Sequence, residues 1–76
     1  MNSSKRARLN EAAIILGEVN EIINGVLYQE QDSLENYPEN LQATERFEAM
    51  ESAVENLHDA IESVDEAKAY ICAAVV

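Results

Sequence analysis

A chain of 76 residues makes one domain, 1–76, with much surface for its volume, so self-association is an expected way of completing a small core. Fifteen Asp and Glu against five Lys and Arg leave a net charge of −10, which argues against direct nucleic-acid or anionic-membrane binding and for basic or neutral protein partners. The single cysteine, Cys72, excludes an intramolecular disulfide framework and a CxxC metal site, and suits a reducing cytoplasm.

The N-terminal stretch MNSSKRARLNEA has charges but no apolar core of signal-peptide length, and no 18-residue apolar run follows. The expectation is a soluble intracellular protein with no membrane segment. From there the period is helical: Leu9, Ala12, Leu16, Val19, Ile23 and Val26 recur at spacings of three and four. Ile15 and Ile22 line one edge of that stripe, and Ala13, Leu27 and Leu34 the other. This pattern predicts an amphipathic helix over about 4–36, with Asn2, Ser3 or Ser4 as its N-cap. Gly17 and Gly25 inside it each cost about 1 kcal/mol relative to alanine, and read as tolerated positions or points of close helix approach.

The only proline, Pro38, sits in NYPENLQAT, residues 36–44. The residue before a proline avoids the α region, so the first helix is expected to stop by Asn36 or Tyr37, with a turn over about 37–42. A second helix over about 43–74 starts either from Thr44 as N-cap or a turn earlier from Pro38. In it Met50, Leu57, Val64 and Ile71 form one seven-residue series, Ala53, Ala60, Ala67 and Ala74 another, and Phe47, Val54, Ile61 and Val75 widen the stripe.

Two arms of about 32 residues, each about 48 Å long, joined by a short turn imply an all-α fold, an antiparallel two-helix hairpin like a coiled coil. Large residues alternating with alanine suggest a close, alanine-rich seam. The stripes are wider than one seam needs, and two hairpins pairing into a four-helix bundle would cover them, so a homodimer is expected. Lys5, Arg6 and Arg8 stand at the unfavourable end of the first helix dipole. The hairpin is expected to bring them near the last turns of the second arm, within a turn or two of Asp65 and Glu66.

No constellation for catalysis stands out. His58, the only histidine, follows a seam residue and is expected on the solvated surface, with no nucleophile or acid arranged around it. Glu18-x-x-Glu21 with Glu62-x-x-Asp65 is similar to the paired acidic motifs that hold Mg²⁺ in all-helical nucleotide pyrophosphohydrolases. Carboxylates three apart on facing helices can share a metal. The phases of these four do not converge inward, so a solvated acidic face is the preferred reading. The acidic run from Glu45 to Glu66 could imitate a nucleic-acid backbone, though solubility explains it more simply. The expectation is a protein that is not an enzyme and uses no cofactor and no metal.

The stretch YQEQDSLENYPENLQATERFEAMESAVENLHDAIESVDEAKAYI and KRARLNEA near the start resemble small helical proteins of bacteriophages and prophages of gut-type Gram-positive bacteria, with an EEQD-x-LxN-x-PENLQ-x-SER-x-x-x-ME pattern. Agreement is close at Gln29-Glu30-Gln31-Asp32, Pro38-Glu39-Asn40-Leu41-Gln42 and Thr44-Glu45-Arg46, with Thr44 for serine and Gln29 for an acid. That family implies no particular activity. It does imply a bacterial or phage-infected host cytoplasm, and an accessory or anti-defence role exercised on a host protein. Other small phage hairpins sequester cyclic nucleotide signals, which is the alternative, and a purely structural oligomer is a third. A sponge needs cations and aromatics around its ligand. Arg46, Tyr37, Phe47, Tyr70 and the N-terminal basic residues are the candidates. Loops between rigid elements commonly carry function, so the expected interaction surface is the turn region: Gln29, Glu30, Asp32, Tyr37, Glu39, Asn40, Gln42, Glu45 and Arg46.

Overall fold

Asn2 starts the first helix. Its backbone is extended (φ −80°, ψ 169°), and its side-chain oxygen accepts from the Lys5 amide at 2.9 Å, satisfying one of the unpaired donors of the first turn. In this computed structural model, which describes residues 1–76, the helix α1 runs Ser3–Glu35. It ends where Asn36 donates its backbone N–H to the Asp32 carbonyl at 3.1 Å and its side-chain Nδ2 to the same oxygen at 2.9 Å. Tyr37, constrained by the proline that follows, leaves the helix.

Pro38 opens a single 3₁₀ turn over Glu39–Leu41 rather than the second α-helix. Thr44 caps that helix instead: its hydroxyl donates to the Leu41 carbonyl at 2.7 Å and accepts from the Phe47 amide at 3.3 Å. The helix α2 then runs Glu45–Ala74, with Glu45 and Glu48 in the first turn, where acids complement the dipole. The Tyr37 ring rests on Phe47, centroids 5.3 Å apart, and Gln42 Nε2 reaches the Tyr37 carbonyl at 3.4 Å. These contacts reverse the chain.

The result is the all-α antiparallel hairpin expected from the periodicity, with extents of 60 × 15 × 12 Å. The register is legible from contacts at several heights: Tyr37 meets Phe47, Asn20 meets Ile61 and Asp65, and Arg6 reaches the Val76 carbonyl at 3.0 Å. Asp65 therefore stands level with Asn20, several turns from Arg8, and not beside the N-terminal basic cluster as expected. Arg6 meets the chain's end because the two arms are nearly equal in length.

The seam differs from the alanine-rich one that the second arm suggested. Its α2 side is the Met50, Leu57, Val64 and Ile71 series together with Phe47, Val54, Ile61 and Val75, all partly covered. Ala60 and Ala67 are half-covered at its flank, while Ala53 and Ala74 are exposed. Burying Phe, Val and Ile removes more apolar area from water than burying alanine, and α2 is rotated accordingly. On α1 the same rotation brings Leu9, Ala13, Leu16, Asn20, Ile23, Leu27 and Leu34 inward and leaves Val26 44 % exposed.

Only Leu27 and Asn20 are buried, so one hairpin is a thin core. Gly25 faces open space, with nothing within 4 Å of a Cβ placed there. Replacing Gly25 with alanine is expected to raise stability by about 1 kcal/mol through helix propensity, read by urea denaturation. At Gly17 a Cβ would meet only the Lys68 Nζ tip at 3.4 Å, so the close approach there is to a side chain.

Candidate interaction surface

The hairpin has two unlike sides, and hydrogen bonds identify one of them. Asn20 Nδ2 donates to Asp65 Oδ1 at 2.9 Å and to the Ile61 carbonyl at 3.3 Å. On the same side Gln31 Nε2 and His58 Nε2 are 3.0 Å apart, and Lys68 stands over Gly17. Glu18, Glu21 and Lys68 line a shallow cleft there. This is the polar side.

Helical phase then places the opposite side. On α1, Ala12, Ile15, Val19, Ile22 and Val26 repeat at three and four, forming a second apolar stripe about a quarter-turn from the seam residues. Ile15 is 49 % exposed and Ile22 69 % exposed in the hairpin. On α2 the alanine series lies about a quarter-turn from the seam, on the side away from His58 and Asp65. The two flanks therefore share one face: a ridge of Ile and Val beside a shallow band of alanines.

Charge separates the sides as cleanly as shape. Acids are sparse in both flanks: the ridge runs from Lys5 and Arg8 to Gln29 and Ser33, with the half-covered Glu30, four residues past Val26, the one carboxylate between ridge and seam, and the alanine band runs from Arg46 through Asn56 and Ser63 to Tyr70. In a chain of net charge −10, this long face is poor in carboxylates.

The turn residues divide between closing the hairpin and facing solvent. Asp32 accepts from Asn36 through its backbone carbonyl, Tyr37 packs on Phe47, and Gln42 bonds the Tyr37 carbonyl. Glu30 is half-covered at the seam; Gln29, Glu39, Asn40, Glu45 and Arg46 are exposed. Part of the polarity of this stretch is thus spent on chain reversal. His58 is exposed and engaged with Gln31, and Cys72 is exposed two heptads along the same row. Asp65 turns to Asn20, apart from Glu18 and Glu21, and no three His, Cys, Asp or Glu side chains gather as a metal-holding group.

Reading the sequence alone missed Asn20 as a buried seam residue, and missed that the Ile edge and the alanine series share a side. The signal for Asn20 was available: it interrupts Leu16, Ile23 and Leu27 at seam spacing. No helix is long and apolar enough to cross a membrane. No protein-family model matches this chain, and no curated protein or solved structure matches it.

Proposed function

We propose that this chain is a non-enzymatic protein-interaction module that works through its acid-poor apolar face. The observation that carries the reading is the exposed Ile15, Ile22 and Val26 ridge beside alanines on an otherwise acidic rod. Contiguous exposed apolar surface of this kind is characteristic of docking sites. A binding role also agrees with the state of the polar groups: His58 is taken up by Gln31 and Asn20 by Asp65, in no arrangement of nucleophile and base. The phage-like turn motif suggests a phage or prophage accessory protein acting in a bacterial cytoplasm, with the exposed turn residues Glu39, Asn40, Glu45 and Arg46 offering a host protein a second, polar contact.

The test is a photo-crosslinking amino acid placed at Ile22 and, as a control, at Asp59 on the outer side of α2. Irradiation in a bacterial cytoplasm should give a protein adduct from position 22 and none from 59. Equal yields at both positions, or no adduct from position 22, would remove the reading.

One observation favours the cyclic-nucleotide sponge as a second reading. Lys5 and Arg8 line a cleft with Met1 and Leu9, where two cations beside apolar surface suit an anionic base-bearing ligand. That reading requires thermal stability to rise with cyclic dinucleotide and the rise to vanish in Arg8→Ala. No shift in the parent protein would dismiss it.

A further inference from the structure

We infer that the occupant of the apolar face is a second copy of this chain, related by a two-fold axis along the hairpin's length. The inference rests on the interaction-module reading and names its partner.

The first argument is area. The hairpin exposes 5634 Å², whereas a folded monomer of its 8.4 kDa is expected to expose about 4,600 Å². The excess of about 1,000 Å² is on the scale that a stable interface removes from each partner, about 800 Å².

The second argument is charge. Two chains of net charge −10 repel one another, so a second copy docks best where acids are few, and this face, with Glu30 alone at the seam edge of its ridge, is such a place. Its flanks also point about a quarter-turn from the intrachain seam, the direction in which a four-helix bundle needs its next neighbour.

The third argument is shape, and it selects the axis. The register sets Ile22 level with residues near Ile61 and Ile15 level with residues near Lys68, within about a turn of Ala60 and Ala67. A two-fold axis along the hairpin preserves height and exchanges sides, so the Ile and Val ridge of one chain lies over the alanine band of its partner, with all neighbouring helices antiparallel. A two-fold axis across the hairpin would set ridge on ridge and alanine on alanine. The first contact would be overfilled and the second void, and close-packed interfaces tolerate neither.

The experiment uses the full chain with Cys72→Ser as background. Ile22→Cys chains are mixed with Ala60→Cys chains and oxidised gently; Val19→Cys with Ala67→Cys is the second pair, in case one substitution disturbs folding. Light scattering of the unlinked parent should give twice the chain mass, and the disulfide-linked dimer should form in the mixtures and not from either variant alone. A linked dimer from Ile22→Cys alone would overturn the axis, as would a dimer that links in neither mixture. A monomer across micromolar concentrations would overturn the pairing. A photo-adduct from position 22 to a different protein, with a monomeric parent, would leave the module reading standing and remove this one.

Discussion

Replacing Leu27 with alanine is expected to lower the stability of the protein by about 2–5 kcal/mol. Leu27 is the only apolar residue buried by the hairpin, at 5 % exposure, so its removal leaves a gap that neighbours on two rigid helices fill only partly. A domain of 76 residues has a total stability of roughly 4–11 kcal/mol, and the substitution takes away a large share of it. Urea denaturation followed by circular dichroism, at one fixed protein concentration, measures the loss. Ile14→Ala is the control: Ile14 is 65 % exposed, on the polar side, and should shift stability by no more than about 0.5 kcal/mol. Equal losses at the two positions would mean that the seam is wrongly placed.

Asn20→Asp is expected to cost about 3 kcal/mol at pH 7, with a dependence on pH that a merely steric change would lack. Asn20 is buried and gives its amide hydrogens to Asp65 and the Ile61 carbonyl. A carboxylate there would face two acceptors with no proton to offer. Burial and the neighbouring carboxylate both favour its protonated form, so its folded pKa lies above its unfolded value. Stability is then retained below the unfolded pKa and lost as pH rises through the folded one. The variant should approach the parent near pH 4 and fall away from it by pH 7, measured by thermal melts across that range. A loss independent of pH would contradict the geometry.

The companion change, Asn20→Leu, has the opposite expectation. Asn20 Oδ1 is buried without a hydrogen-bond partner, a state that costs about 1–3 kcal/mol. Leucine should therefore be neutral or stabilising, while removing a contact that specifies register, as a buried polar residue does in coiled coils. A clear loss of stability in the same melts would mean that the two hydrogen bonds of Asn20 outweigh its orphaned oxygen.

How far the fold could be read in advance is clearest at its ends and its turn. Asn2, Thr44 and Pro38 each restrict the backbone through their own chemistry, so the helices begin and end within a residue or two of their expected bounds. The choice between Pro38 and Thr44 as the start of α2 was open in the sequence. Tyr37 packing on Phe47 and the Leu41 carbonyl taken by Thr44 made it, since both contacts need the chain already reversed. The turn polarity had two available meanings, binding and closure, and only contacts separate Gln42 and Tyr37, which help close the turn, from Glu39, Asn40, Glu45 and Arg46, which face solvent.

The candidate surface was half legible. The ridge and the alanine ladder are each visible as seven-residue series, but a series on one helix carries no information about the side on which the other helix lies. That side is set by how both helices rotate to bury Phe47, Val54, Ile61 and Leu27 together.

The sequence by itself therefore determined that this protein is two amphipathic helices of matched length, reversed at Pro38, acidic outside and with more apolar surface than one seam uses. These properties follow from residue spacing, caps and charge, which act over a turn or two of chain. Only the tertiary structure decided that the alanines flank the seam, that Asn20 is held by Asp65 across it, and that the Ile ridge and alanine band form one acid-poor face. Those depend on the relative rotation and register of two helices, which are fixed by side chains tens of residues apart competing for the same buried space.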